Sequence, residues 1–158
     1  MDVQTSRSFA RPRPPAVRVV WAVLFLLLAA FAVVEAIKHG WPALVGAVLF
    51  FALPDLTLMM GTRRRRERAR PAPRAVPYYN ALHRAWVPLV LLVVCTVMPW
   101  FWAPVFAALL GWLAHIALDR AAGYGLRSAD GSLRALRGRP AVGFEEPGGI
   151  TWVLAALW

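Results

Sequence analysis

Four long apolar runs constrain the fold of this chain more than any other feature. The first run, Val19 to Ile37, holds a single ionisable side chain, Glu35, near its end. An α-helix rises about 1.5 Å per residue, so a run of this length crosses a hydrocarbon core about 30 Å thick. Charged residues make up 16% of the chain, compared with about a quarter in soluble domains. The pattern therefore predicts an integral membrane protein.

The boundaries of the runs predict an all-α fold, a four-helix transmembrane bundle. A tight aromatic turn separates the last two helices, because one helix from Ala85 to Leu118 would be about 50 Å long and exceed the bilayer. The proline-rich residues Met1 to Arg18 are expected to form a disordered basic tail. Residues 127–158 are expected to be a polar, glycine-rich tail with a short apolar end. The membrane domain is residues 19–126, with helices at about 19–37, 42–60, 78–98 and 103–120.

Proline and glycine residues mark predicted bends and ends of these helices. Pro54 is predicted to bend the second helix, because a proline inside a helix removes one backbone hydrogen bond. Gly123 and Gly125 are typical of a left-handed stop after the fourth helix. The single cysteine, Cys95, excludes an intrachain disulfide and a cysteine-based metal motif, and we expect its small side chain to be buried or to face lipid.

Lysine and arginine residues lie almost entirely on one side of the predicted bundle. Four precede the first helix, eight lie between Arg63 and Arg84, and five follow from Arg120 onward, whereas only Lys38 lies in the opposite turns. Positive residues favour the cytoplasmic side of a membrane. Four spans with both termini cytoplasmic account for this distribution, whereas an odd number of spans would scatter the arginines. We therefore predict a multi-pass protein of the cell membrane with both termini cytoplasmic.

The formal charge of +10 raises nucleic-acid binding as an alternative. The topology explains the charge without that ligand, so the expected partner is the lipid bilayer and not nucleic acid. A basic loop beside a membrane also attracts acidic lipid. We expect anionic headgroups at Arg63, Arg64, Arg65 and Arg66.

The same topology brings polar residues of three helices to one depth on the cytoplasmic side. His115 and Asp119 are four residues apart and share a helix face. Ionisable groups at this depth are costly and call for a functional hypothesis. The candidate residues in this layer are Asp55, Asn80, His83, His115 and Asp119, with Arg120, Tyr124 and Tyr79 close to it in depth.

Two interpretations of this polar layer remain open. In the first, four of its residues bind a divalent metal, because two imidazoles with carboxylates suit zinc, iron or manganese. An open coordination position would then permit water activation against a lipid headgroup or another molecule at the inner leaflet. The proposed ligands are Asp55, His83, His115 and Asp119.

In the second interpretation, the polar residues only fix the packing of the helices at a hydrated rim. Asp119 would pair with Arg84 or Arg120. Asp55 would bond to Asn80, Tyr79 or a histidine. The sequence contains no HExxH, GxSxG or P-loop pattern to decide between the two.

Three segments of the chain also carry a resemblance to a known family. They are PDLTLMMG at Pro54 to Gly61, YYNALHRAWVPL at Tyr78 to Leu89, and GWLAHIALDRAAGYGLR at Gly111 to Arg127. The sequence resembles in these blocks the bacterial membrane family called domain of unknown function 4260, over roughly Val19 to Arg127. The resemblance implies a small four-helix membrane protein without an established activity. It also implies a Thr-His-Leu-Gly-like block after the Gly-Tyr-Gly turn, which this chain lacks, because no histidine follows His115.

A looser similarity is to membrane-bound metal-dependent hydrolases of the inner membrane. It rests on the pair His83-Arg84 and on His115 with Asp119. We therefore carry two hypotheses. The first is a small integral membrane protein of unknown function with a polar cluster at the cytoplasmic side. The alternative is a metal-dependent hydrolase acting at the inner leaflet.

Overall fold

The computed structural model of this chain describes residues 14–59, 74–98 and 102–127. Over these ranges the chain forms five α-helices and no β-strand, which confirms the all-α prediction there. Two helices with a break between them occupy residues 78–98, where the sequence predicted one continuous third helix. The helices are α1 (Pro15–His39), α2 (Trp41–Met59), α3 (Val76–Leu82), α4 (Trp86–Val97) and α5 (Ala103–Ala122).

Helix α1 is longer than the predicted range of residues 19–37. It begins at Pro15, whose fixed φ angle suits a first helical turn. The last residues of the predicted disordered tail are therefore helical. The helix ends at Gly40, which has a φ of +70° and donates its amide hydrogen to the Ala36 carbonyl oxygen at 2.9 Å. Because α2 begins at Trp41, the turn between the two helices is one glycine.

Helix α5 lies at the centre of the described bundle. Every residue from Phe106 to Ala117 is buried. Helices α1, α2 and α4 all pack against it. A helix that is buried on all sides needs neighbours on all sides, so α5 is the element around which the others are arranged.

Helices α2 and α5 approach closely because small residues line their contact. A Cβ atom on Gly111 would collide with the Ala47 carbonyl oxygen. A Cβ atom on Gly46 would lie 2.7 Å from the Pro104 carbonyl oxygen. Ala107, in the same contact, is fully buried. Small residues at helix contacts are typical of membrane bundles, where close backbone packing replaces the hydrophobic driving force.

Contacts between helix ends establish the relative directions of the helices. Arg18 Nε, near the start of α1, donates to the Ala121 carbonyl oxygen at the end of α5 at 2.9 Å, so α1 and α5 are antiparallel. The starts of α2 and α5 meet at Gly46 and Pro104, and the last turns of α2 reach His115. Helices α2 and α5 therefore run parallel. We call the end of the bundle that holds Arg18 and Ala121 the cluster end.

Helices α3 and α4 form a bent pair with an angle of 43° between them. Pro88 lacks an amide hydrogen, so the regular helical bonding cannot continue through this turn. Two side chains of α5 donate to carbonyl oxygens at the break. Trp112 Nε1 donates to the Leu82 oxygen at 2.7 Å, and Arg120 Nη2 donates to the His83 oxygen at 3.1 Å. The break is thus stabilised by the central helix.

The end of α5 is a left-handed stop, as predicted for Gly123. This glycine has a φ of +95°, and its amide donates to the Arg120 carbonyl oxygen at 3.2 Å. The Tyr124 amide donates to the Asp119 carbonyl oxygen at 2.8 Å, which completes a Schellman motif. The same prediction is wrong for Gly125, which does not adopt a positive φ angle.

Two of the described helices are long and apolar enough to cross a membrane, Pro15–His39 and Ala103–Ala122. The bent pair of Val76–Leu82 and Trp86–Val97 makes a third if it forms one broken span. Helix α2 contributes a shorter apolar stretch, Trp41–Thr57. These helices indicate a membrane protein with two or three candidate spans.

Several predictions concern residues outside the described ranges. They are the tail before residue 14, the aromatic turn at residues 99–101, the C-terminal tail after Arg127 and the basic loop with Arg63, Arg64, Arg65 and Arg66. The expected contact of that loop with anionic lipid stays a prediction.

Candidate metal centre

Two buried histidines from different elements face each other at the cluster end. His83 follows α3 directly, and His115 lies within α5; their side chains are 3% and 5% exposed. The two ring centroids are 5.4 Å apart, with an angle of 69° between the ring planes. Both Nε2 atoms are buried, and neither makes a hydrogen bond within the described part of the chain. Buried polar atoms usually have a partner, so these two nitrogens need one.

Two carboxylates lie against the same nitrogens. Asp119 Oδ2 is 3.3 Å from His83 Nε2 and 3.7 Å from His115 Nε2. Asp55 Oδ1 is 3.7 Å from His115 Nε2. One ligand atom from each of Asp55, His83 and His115 lies within 4.8 Å of the other two. We refer to Asp55, His83, His115 and Asp119 as the His/Asp cluster.

The hydrogen bond on the far side of His83 determines which ring nitrogen carries its proton. His83 Nδ1 lies 2.8 Å from the Tyr79 carbonyl oxygen. A carbonyl oxygen can only accept, so Nδ1 is the donor. A neutral His83 then has a lone pair on Nε2, and that lone pair faces the carboxylate of Asp119.

His115 is the second buried histidine of the cluster. His115 Nε2 is buried and makes no hydrogen bond within the described residues, and Phe51 of α2 packs against the imidazole ring. The Phe51 ring meets the imidazole edge to face, with centroids 5.4 Å apart. A neutral His83 therefore presents an acceptor nitrogen to the Asp119 carboxylate, which is an acceptor as well, and His115 Nε2 lies 3.7 Å from the same oxygen.

Acceptors that face acceptors in a buried space require either added protons or a cation between them. In a tetrahedral site with ligand bonds of about 2.0–2.2 Å, neighbouring ligand atoms are about 3.4 Å apart. The histidine–carboxylate distances of 3.3–3.7 Å match this spacing. The ligand atoms of Asp55, His83 and His115 lie within 4.8 Å of one another, and the wider of these separations would have to shorten when an ion binds. The donor set fits a divalent metal ion.

Three helices position these ligands. His115 and Asp119 are one turn apart on α5, so they point to the same side. Asp55 lies in the last turns of α2, directly after Pro54, whose ring is buried. The Asp55 side chain is 59% exposed, whereas that of Asp119 is 21% exposed. The cluster is therefore closed on the α5 side and open beside Asp55.

The remaining predicted residues lie around the cluster rather than in it. Asn80 bonds to the backbone of Arg127 through both of its side-chain atoms. Arg120 is buried and donates to the His83 carbonyl oxygen, so it supports a ligand from behind. Tyr124 is 50% exposed, and its described hydrogen bond is from its amide to the Asp119 carbonyl oxygen. The sequence analysis grouped these residues with the cluster because they lie at the same depth in the membrane, but in the structure they have different partners.

Sequence reasoning placed Tyr79 close to the polar layer and offered it as a partner of Asp55, but it did not predict the ring contacts that Tyr79 and Phe51 make with the histidines. The Tyr79 ring stacks on the His83 imidazole, with centroids 3.8 Å apart and planes 20° apart. Phe51 meets His115 as described above. Tyr79 is four residues before His83, so the shared helix face was the signal available for it. For Phe51 no signal was available, because its contact joins two helices that are distant in the sequence.

Comparison with known proteins gives one match. No curated protein matches this chain, and no solved structure does. The profile of the family described as Domain of unknown function (DUF4260) matches residues 20–135, which is more than half of the chain. This match includes all three sequence blocks that carry the resemblance and both histidines of the cluster. The chain therefore belongs to the family Domain of unknown function (DUF4260).

Proposed function

We propose that this chain is an integral protein of the bacterial inner membrane with four spans and both termini cytoplasmic. The distribution of lysine and arginine supports this orientation, because seventeen of the 18 lie on one side of the predicted bundle. The parallel course of α2 and α5 supports a spanning role for α2, since the two helices share contacts from Gly46 at one end to His115 at the other. In this orientation the cluster end is cytoplasmic.

Reporter fusions test this topology. A reporter that is active only in the periplasm should be active when it is fused at Gly40 and inactive when it is fused at Thr62. The reverse pattern would overturn the orientation. Activity at both positions would contradict a span between them.

The function that the geometry supports best is binding of a divalent transition-metal ion at the His/Asp cluster. One observation carries this proposal. The Nδ1 hydrogen of His83 is donated to the Tyr79 carbonyl oxygen, so the Nε2 lone pair faces the Asp119 carboxylate at 3.3 Å. A metal ion satisfies both acceptors at once. Two carboxylates and two neutral imidazoles carry a formal charge of about −2, which a divalent ion balances. Zinc, iron and manganese suit this mixture of nitrogen and oxygen ligands.

Metal content after purification in detergent tests this proposal. Wild-type protein should retain close to one divalent ion per chain, and His115→Ala should lose it. His39→Ala is the matched control, because His39 is 40% exposed and lies near Glu35 at the opposite end of α1. Metal-free wild-type protein after growth and dialysis with zinc, iron or manganese would contradict the metal site. That result would leave a packing role for the cluster, with protonated histidines as the partners of the two carboxylates.

A second candidate function is metal-dependent hydrolysis at the inner leaflet. It is favoured by the open side of the cluster, where Asp55 is largely exposed, and by the second carboxylate, Asp119. A bound metal ion would supply Lewis-acid activation of water. In this hypothesis Asp55, His83 and His115 would hold the ion, and the Asp119 carboxylate would accept the proton released from water instead of binding the ion. Phospholipid in mixed micelles is the appropriate first substrate, and turnover by metal-loaded wild-type protein that Asp119→Asn lacks would support this activity. Absence of turnover with every lipid class tested would contradict the hydrolase activity and would leave the metal-binding proposal unaffected.

A further inference from the structure

Arg127 and Tyr79 pack together directly behind one ligand of the His/Asp cluster, His83. The guanidinium carbon of Arg127 lies 5.2 Å from the centroid of the Tyr79 ring. The His83 imidazole stacks against the same Tyr79 ring, and the two ring centroids are 3.8 Å apart. Tyr79 is 2% exposed and Arg127 is 7% exposed. A cation over an aromatic ring is attracted by the π electrons, and more strongly when it is desolvated, so Arg127 holds Tyr79 in place.

The chain after α5 is tied to α3 by a reciprocal pair of hydrogen bonds. The Arg127 amide donates to Asn80 Oδ1 at 2.8 Å, and Asn80 Nδ2 donates to the Arg127 carbonyl oxygen at 2.9 Å. The two residues are 47 positions apart in the sequence. The Schellman stop at Gly123 turns the chain out of α5 so that Arg127 reaches this place. We call residues 123–127 the strap.

Tyr79 fixes His83 in two independent ways. Its carbonyl oxygen accepts from His83 Nδ1, which determines the tautomer. Its ring lies flat on the imidazole, which determines the plane of the ring. The direction of the His83 Nε2 lone pair follows from these two restraints together. Groups behind a metal ligand commonly fix its orientation and basicity in this manner.

We propose that the strap is a positioning element for the metal centre, in which Asn80 and Arg127 hold Tyr79 against His83 and so aim His83 Nε2 at the bound ion. This inference rests on the proposed metal site and deepens it. Asn80, Arg127 and Tyr79 are positioning residues, since they act through His83. The metal ion would enter from the exposed side of the cluster, beside Asp55.

Cobalt(II) is the probe for this proposal, because its visible absorption reports the geometry of its ligands. Full-length protein in detergent is titrated with cobalt, and zinc affinity is measured by competition. Asn80→Ala removes the reciprocal bonds, and Arg127→Gln removes the cation over the ring. Each should weaken zinc binding about ten- to hundredfold, as is usual when a group behind a ligand is lost, and should change the cobalt spectrum. Arg127→Lys keeps both the cation and the backbone bonds, so it should stay close to wild type.

Arg18→Ala is the structural control. Like Arg127, Arg18 lies at the cluster end, and its side chain donates a hydrogen bond to a distant backbone carbonyl oxygen, that of Ala121. Arg18 belongs to α1, however, and not to the strap. Arg18→Ala should leave zinc affinity and the cobalt spectrum unchanged. Circular dichroism of each variant shows whether the helices are retained, and Tyr79→Phe, which keeps the stacked ring, should bind metal like wild type.

The outcomes separate this inference from the proposed function. If wild-type protein binds cobalt while Asn80→Ala and Arg127→Gln match it in affinity and spectrum, the positioning role is overturned and the metal site stands. If folded wild-type protein binds neither cobalt nor zinc, the metal site itself is overturned, and the positioning role with it. Weaker binding with an altered spectrum in Asn80→Ala and Arg127→Gln, and normal binding in Arg127→Lys, would support the strap.

Discussion

His83 Nε2 and Asp119 Oδ2 lie 3.3 Å apart, although the other ring nitrogen of His83 already donates to a backbone carbonyl oxygen. A neutral histidine has no second hydrogen to place in this contact. The contact is therefore satisfied either by protonating His83 or by a cation that both atoms bind. These two states respond in opposite ways to substitutions at the cluster, which makes them separable by experiment.

Zinc should raise the thermal stability of wild-type protein. A ligand that binds only the folded state at about 100 times its dissociation constant stabilises it by about 2.7 kcal/mol. For a chain of this size that corresponds to roughly 5–10 °C in melting temperature. His83→Ala should abolish the shift, whereas His39→Ala should retain it. A shift of equal size in His83→Ala would mean that zinc binds elsewhere on the chain.

Asp119→Asn distinguishes a metal-binding cluster from a pair of protonated histidines. The amide of asparagine can donate to the free Nε2 of His83, so in the metal-free protein it should add about 1 kcal/mol of stability. The same substitution should remove the stabilisation by zinc. If the histidines are instead protonated and paired, the loss of the carboxylate should destabilise the metal-free protein.

The matched control for that measurement is Glu35→Gln. Glu35 is buried and lies 3.3 Å from His39 Nε2 and 3.7 Å from the cationic Lys38 Nζ, so it already has a cationic partner. Its neutralisation should therefore destabilise the protein and leave the zinc response intact. A gain of stability in both variants would indicate a general effect of removing negative charge rather than a property of the cluster.

Gly111→Ala should be among the most destabilising single substitutions in the bundle. The added methyl group would collide with the Ala47 backbone, which cannot move without separating α2 from α5. Overpacking of this kind costs about 1–3 kcal/mol and sometimes more. Gly123→Ala is a useful comparison, because a Cβ atom there meets nothing within 4 Å. Its cost, about 1–2 kcal/mol, comes only from the left-handed backbone conformation. Denaturant unfolding in detergent should show the larger loss for Gly111→Ala, and equal losses would argue against the close contact.

Trp112→Phe should destabilise the break between α3 and α4. The substitution keeps an aromatic ring but leaves the Leu82 carbonyl oxygen without its donor. A buried acceptor that loses its partner costs about 1–3 kcal/mol. Trp102→Phe is the control, because Trp102 is 63% exposed and should change stability little. Unfolding transitions measured in the same detergent compare the two, and an unchanged midpoint for Trp112→Phe would contradict the capping role.

The helices and the approximate place of the cluster followed from local features of the sequence. Long apolar runs predict membrane helices because the required length is set by the bilayer. The alternating direction of the helices then put Asp55, His83, His115 and Asp119 at one depth, and the structure brings these four side chains together. Depth, however, is only one coordinate. It also grouped Asn80 with the cluster, although its described bonds are to Arg127.

What could not be predicted depends on contacts between distant segments. Pro88 marks the break between α3 and α4, yet a proline near the start of an apolar run is also compatible with a continuous bent helix. The close approach at Gly111 depends on Ala47 of another helix. The strap depends on a pairing across 47 residues. Periodicity within one segment carries no information about such partners.

X-ray absorption at the zinc edge of purified, zinc-loaded protein tests the central claim most directly. The metal site predicts a shell of nitrogen and oxygen ligands at about 2.0–2.2 Å that includes two imidazoles. His115→Ala should reduce the imidazole count or abolish zinc binding, and His39→Ala should leave the spectrum unchanged. Zinc bound without imidazole ligands, or wild-type protein that retains no more zinc than His115→Ala, would contradict the account.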